Sequence, residues 1–264
     1  MRSVIFLSIF LMTLFVGCTK APITNRYQMI TMATEEEIAL GERYANTILR
    51  HSKISDDFAS RNMVERVGKK IADIVDKQYN TQYYNWEFHL IESHHKANAF
   101  CLSGGKVFVY TPILKYIDSE DELAVIIGHE IAHALARHGA ERKTSEKVTS
   151  MGNKFVDFLI GIDRTSIPIE KMWQKKITKE FILESILLPH SRTQEYEADK
   201  IGLVLSSKAG YDPKVSLNFW KKFSEESSSK PEYLSTHPLP IHRIEALQRE
   251  MPFFYSFYQQ AKNK

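Results

Sequence analysis

His129-Glu130-Ile131-Ala132-His133 gathers the residue types best able to do chemistry in this chain. Four residues turn an α-helix by about 400°, so the two histidines leave one face a turn apart. Two imidazoles so placed can grip one metal ion, and zinc suits nitrogen ligands. Glu130, beside the first histidine, can reach a water molecule as general base without holding the metal itself. Histidine pairs also occur on ordinary helices, so a third ligand is needed. Ser191 to Asp199 opens a second helix, and there Glu195 and Asp199 share a face one turn apart. Glu195 would complete a His2Glu set with one position open, and Asp199 would take a hydrogen bond from the far nitrogen of a ligand histidine. The plainer reading of both is an acidic helix start favoured by the helix dipole. Glu197 lies about 200° from Glu195 around that helix and is not expected to join it. His138 falls about 140° beyond His133 and is read as a polar or structural residue.

The elements that must position these groups are legible in outline. Ser119 and Glu122 form a capping box for the helix carrying His129, which is expected to run to about Arg142. Leu123, Ile126, Ile127, Ile131 and Ala134 supply its buried stripe, and Gly128 leaves room for a close neighbour. Thr34 with Glu37 caps an earlier helix, and another spans about Asp56 to Gln78. Trp86–Ile91 and Lys106–Tyr110 read as strands, with Ala97–Cys101 between them and Ser103-Gly104-Gly105 as a hairpin-like turn. The small sheet should lie beside the metal helix with one edge strand at the cleft, where an extended peptide can add through main-chain bonds. His94 and His95 are read as surface residues. After Gly210, Asp212-Pro213 opens a short helix through Phe219, Trp220 and Phe223, and Thr236-His237-Pro238 leads into a last helix. The class is α+β and mainly helical.

His129–His133 followed by Glu195-Tyr-Glu-Ala-Asp199 resembles the zinc metallopeptidase family of HtpX and the CAAX prenyl endopeptidase. That family's relatives include the mitochondrial inner-membrane stress protease and the outer-membrane lipoproteins of the BepA and LoiP kind. Two more stretches match it: Asn98 to Val107, and Thr236-His237-Pro238 with Arg243 and Ile244 behind. The likeness spans Thr34 to Leu247, about four-fifths of the chain. Cys101 and Ser103 depart from it, standing where the family often has Ala and Pro. The resemblance implies a zincin-like domain with one zinc per chain, held by His129, His133 and Glu195. It implies an endopeptidase with Glu130 as base, and Asn98 and Ala99 lining the substrate edge. Asn98 reads equally well as a turn residue. His237 is the candidate donor to the oxyanion opposite the metal, or else a loop histidine without that role. Arg243 is expected to anchor this segment to the acidic helix around Glu195 and Glu197.

With 264 residues and 43% hydrophobic content, the chain has material for one sizeable core. Its net charge of +3 is small and the basic residues are dispersed. No phosphate loop or nucleic-acid motif appears, so a nucleic-acid partner is not expected. Val4 to Val16 is a largely apolar run of 13 residues, short for a bilayer span that needs about 20. Ending in Gly17-Cys18, it resembles a bacterial lipoprotein signal; the competing reading is an uncleaved anchor. Residues 1–17 would then be cleaved away and Cys18 lipidated. Residues 18–33 would form an extended tether, 34–258 one domain, and 259–264 a loose tail. Thr19 carries no aspartate-type retention signal, so by analogy the periplasmic face of the outer membrane is favoured over the inner. Unfolded or misfolded envelope proteins are the expected substrates. Residues 143–190, between the two metal helices, are either a lid over the cleft or extra helical packing. Two other functions remain open: a chaperone or assembly factor for outer-membrane proteins with secondary hydrolysis, and a structural zinc lipoprotein.

Overall fold

Every residue from Leu123 to Leu135 is buried, so the metal-helix candidate is a central element with no solvent face. The computed structural model describes residues 18–79, 81, 83–159, 190–225, 232–238 and 241–263. The leader 1–17, residues 160–189 of the insert and the polar loop 226–229 lie outside the described residues. The elements are β1 (Cys18–Lys20), β2 (Tyr27–Met29), α1 (Thr34–His51), α2 (Phe58–Gln78), β3 (Glu87–Ile91), β4 (Ala99–Leu102) and β5 (Lys106–Tyr110). A 3₁₀ turn (Thr111–Tyr116) leads to α3 (Glu120–Leu135). Then follow α4 (His138–Leu159), α5 (Arg192–Lys208), α6 (Val215–Glu225), α7 (Glu232–Thr236) and α8 (Ile241–Lys262).

Two glycines bring α3 and α5 together. A Cβ on Gly128 would stand 2.9 Å from the Gly202 carbonyl oxygen, and one on Gly202 would stand 2.7 Å from both the Gly128 carbonyl carbon and the His129 nitrogen. Only backbones without side chains can cross so closely, and this contact sets the His129 turn of α3 against α5. Val64, Val67, Ile71 and Val75 of α2 enter the same core.

The three-stranded sheet has the order β3-β5-β4, with β3 parallel and β4 antiparallel to β5. Val107 and Val109 join the core around α3, while Phe108 and Tyr110 pack with Phe100, Leu102, Tyr44 and Ile48 of α1. Both faces of β5 are therefore covered, and all five of its residues are buried. Gly104 and Gly105, at φ 89° and 88°, make the turn between β4 and β5.

Several local expectations are corrected. The helix from Ser119 does not reach Arg142; it ends at Leu135, and Arg137 adopts φ 56° before α4 begins. A left-handed non-glycine residue costs energy. Here its guanidinium secures it, donating to Glu37 Oε2 at 2.7 Å and to the Met32 carbonyl at 2.8 Å. Glu37 is thereby turned inward, also accepting from Ser103 at 2.6 Å, so α1 has no capping box and starts after Ala33. Ser119 does cap α3, but Glu122 accepts from the Asp118 amide instead of closing the box. A full capping box forms at Ser191 and Gln194. The segment expected to be an extended tether is a hairpin: Cys18 pairs with Met29 and Lys20 with Tyr27, and Ala21 is buried in the main core. The last helix runs to Lys262, through the stretch expected to be a loose tail. Among the described residues no helix is long and apolar enough to cross a membrane.

Candidate metal centre

The α3–α5 crossing brings the sequence candidates into one buried cluster. His129 and His133 face each other with their Nε2 atoms 2.9 Å apart. Glu195 reaches between them from α5, Oε2 lying 3.4 Å from His129 Nε2 and Oε1 3.4 Å from His133 Nε2. His237 also joins: its Nδ1 is 3.2 Å from His129 Nε2 and 3.1 Å from Glu195 Oε1. One ligand atom from each of these four residues falls within 4.8 Å of the others.

The partners of each ring decide which nitrogen faces the cluster. Asp199 Oδ1 accepts from His129 Nδ1 at 3.0 Å, which leaves a lone pair on His129 Nε2. Glu197 Oε2 accepts from His138 Nε2 at 2.9 Å, so His138 Nδ1 is an acceptor and takes the proton of His133 Nδ1 at 2.8 Å. His133 Nε2 is then a lone pair as well. With both rings neutral, two ring lone pairs and a carboxylate converge, and a cation belongs at that point. Against burial, Glu195 and Asp199 push His129 up to about 9, so a proton is drawn there. A divalent metal ion, offered nitrogen and oxygen donors on several sides, fits the same place better. Burial would raise Glu195, yet His237 and His129 hold it well below the usual carboxylate range.

Arg243 is buried behind this cluster. Its Nε and Nη2 donate to the two oxygens of Asp199, each at 2.7 Å, and Nη1 donates to Glu195 Oε2 at 2.7 Å and to the Pro238 carbonyl at 2.8 Å. It therefore anchors the His237 segment to Glu195 and Asp199. It does not bind Glu197, which faces the β1–β2 hairpin instead.

Glu130 is 2% exposed, and its Oε1 accepts from the Tyr233 hydroxyl at 2.8 Å. Burial raises its proton affinity, as a general base working near neutrality requires. His237 Nε2 lies 3.5 Å from the same oxygen. His237, expected either as a donor to the oxyanion or as a loop histidine without that role, has its Nδ1 among the clustered atoms, where α7 is fastened down beside them. The Tyr233 amide donates to the Ala97 carbonyl at 3.0 Å, so α7 occupies a main-chain acceptor just ahead of β4. Asn98 and Ala99 sit at this place and are buried. The Asn98 side chain accepts from the Ala99 amide at 2.9 Å, and the Asn98 carbonyl accepts from the Tyr110 amide at 2.9 Å. His94 and His95 are exposed, away from the cluster.

Sequence reasoning missed Tyr233 and His190, while His138 is, as expected, a polar residue outside the clustered ligand atoms, though it lies beside His133. His190 lies against His133 with ring centres 4.0 Å apart and planes tilted by 30°, and its amide donates to the Thr236 carbonyl at 3.2 Å. Helical projection misplaced His138 because it assumed an unbroken helix; the Arg137 kink swings that ring back beside His133. Nothing in spacing marked Tyr233.

A zincin-like domain with a buried histidine–carboxylate centre and a further buried carboxyl beside it is the class of the metallopeptidases. The model of peptidase family M48 matches residues 59–251, close to three-quarters of the chain. The chain belongs to that family. It is 27% identical over 277 residues to the mitochondrial metalloendopeptidase OMA1 of Saccharomyces cerevisiae, covering 96% of this chain and 76% of the relative. To OMA1 of Homo sapiens it is 29% identical over 260 residues, covering 92% of this chain and 48% of that one. The β-barrel assembly-enhancing protease of Escherichia coli is 25% identical over 222 residues, covering 81% and 43% respectively. The chain thus spans about three-quarters of the yeast relative and about half or less of the other two.

Proposed function

We propose that this protein is a zinc-dependent endopeptidase of the bacterial cell envelope, anchored by lipid on Cys18 at the periplasmic face of the outer membrane. Its proposed substrates are unfolded or misfolded envelope proteins. The observation that carries the hydrolytic reading is the convergence of inward lone pairs from α3 and a carboxylate from α5, with Glu130 alongside. Zinc bound by His129, His133 and Glu195, one per chain, would polarise the scissile carbonyl and acidify a water molecule. Glu130 takes the proton of the attacking water and passes it to the leaving amine. Tyr233 holds only Oε1 of Glu130, which leaves Oε2 to take that proton, and His237 keeps its Nε2 on the side of Glu130. The short apolar run ending at Cys18 supports the anchor, and the Escherichia coli relative's name supports an envelope setting.

Metal analysis and degradation of unfolded casein test the reading. Glu130→Gln should lower cleavage by about 10²–10⁴-fold while the zinc content stays at one per chain. Full cleavage by a zinc-replete Glu130→Gln protein would sink the assignment.

One observation favours a second reading. Glu130 and all four clustered residues are buried, which limits a substrate's access to them. A role in outer-membrane protein assembly, with cleavage secondary, agrees with that. Full rescue of a deletion strain by Glu130→Gln would favour the assembly role; failure to rescue would favour the protease.

A further inference from the structure

Arg26 stands where the β1–β2 turn enters β2, and its guanidinium grips two carboxylates, with the Tyr27 carbonyl and the Gln28 side-chain oxygen as lesser acceptors. Its Nε donates to Glu197 Oε2 at 2.8 Å, while Nη1 and Nη2 donate to the two oxygens of Glu141 at 2.6 and 2.8 Å. Thr24, in the same turn, donates its hydroxyl to Glu197 Oε1. Glu141 is tied in turn to α5, since Gln194 Nε2 donates to its Oε2 at 2.8 Å and to the His138 carbonyl at 3.3 Å. The hairpin therefore knots α4 to α5 at a point directly behind His138.

A single atom joins this knot to the cluster. Glu197 Oε2, which receives Arg26, also receives His138 Nε2–H. We propose that Arg26 and Glu197 are positioning residues for the metal centre: acting through His138, they fix the tautomer and rotation of His133, so that the seating of the hairpin sets how tightly the site holds its metal. This rests on the reading of the cluster as a metal centre.

The chemistry of His138 makes the relay necessary. A neutral imidazole facing another through Nδ1 can donate or accept there, and the two choices have opposite consequences for His133. With the His138 proton on Nε2, His133 donates outward and presents a lone pair to the metal. With it on Nδ1, His133 must accept outward, and its own proton moves to Nε2, where the metal belongs. Glu197 decides between them, because a carboxylate accepts only. Arg26 and Thr24 hold that carboxylate in place. The ring of His138 is fully buried, so no water can substitute for Glu197 without entering the core.

The test uses the full chain in detergent, with zinc affinity read by chelator competition and ligand geometry by the visible spectrum of the cobalt-substituted protein. Glu197→Gln keeps the shape but can present an amide donor to His138. It should weaken zinc by about 10–100-fold, the usual cost of losing a group that orients a ligand, and shift the cobalt bands. Arg26→Ala should act in the same direction more weakly, and Arg26→Lys should recover part of the loss. A purely structural latch would lower the melting temperature of these variants and leave both metal readouts at wild-type values, which would overturn the proposal. Should Glu197→Gln fail to fold, the Arg26→Ala and Arg26→Lys pair decides alone. Wild-type protein that takes up neither zinc nor cobalt would refute the metal-centre reading itself.

Discussion

Behind His129 stands a carboxylate, and behind His133 stands a second imidazole with a carboxylate one step further out. The first support, Asp199 with Arg243, is sealed: side-chain exposures are 2% and 1%. The second ends at Arg26, whose side chain is 25% exposed. The inner pair comes from α5 and α8, deep in the main core. The outer arginine comes from a two-stranded hairpin at the edge. Equal ligands on one helix are thus held by supports of unequal depth. The sealed one resists perturbation because breaking it strands charge in the core. The edge one is open to influence from whatever moves the hairpin.

This contrast can be pressed from its strong end to its weak one. Replacing Arg243 with Met should do the most harm. It leaves Asp199 and Glu195 buried without their cation and costs about 3–5 kcal/mol in denaturant unfolding. A loss under 1 kcal/mol would mean that the inner support is not the stiff one. Gly202→Ala strikes both supports together by forcing α3 and α5 apart, and it should cost about 1–3 kcal/mol. Asp199→Asn should leave the fold largely intact and weaken zinc by about 10–100-fold in chelator competition. If zinc affinity did not change, the tautomer of His129 would be set by something other than Asp199. Smallest of all, Arg26→Ala should cost about 1–2 kcal/mol in unfolding, since Glu197 beneath it is buried but the guanidinium is a quarter exposed and water can replace part of what it gives. A loss as large as that from Arg243→Met would erase the distinction between the two supports.

Three of the four clustered residues were readable because their spacing obeys simple rules. His129 and His133 share a helix face by rotation alone, and Glu195 with Asp199 repeats that geometry on a second helix. β5 was readable as a strand because its Val and aromatic residues suit a sheet covered on both sides. What escaped notice depended on long-range contact. Arg137 carries no mark of a kink, since its left-handed backbone is stabilised by Glu37 and Met32, about a hundred residues earlier in the chain. His138 was set aside for that reason. Residues 18–33 looked extended because two three-residue strands are too short for an alternation pattern to show. Only Thr24 and Arg26, meeting Glu197 in space, give that stretch its significance. His237 was picked out by its Pro neighbour, but its place among the ligand atoms followed from α7 bonding to Ala97, which no spacing encodes.

That hairpin begins at Cys18, which is already the first residue of β1 and stands opposite Met29 of β2. Were a lipid attached there, as proposed, the peptidase would have no leash. Its body would berth directly on the bilayer, and clients would have to arrive at the membrane surface to be handled. Reach, more than pocket shape, would then choose among them.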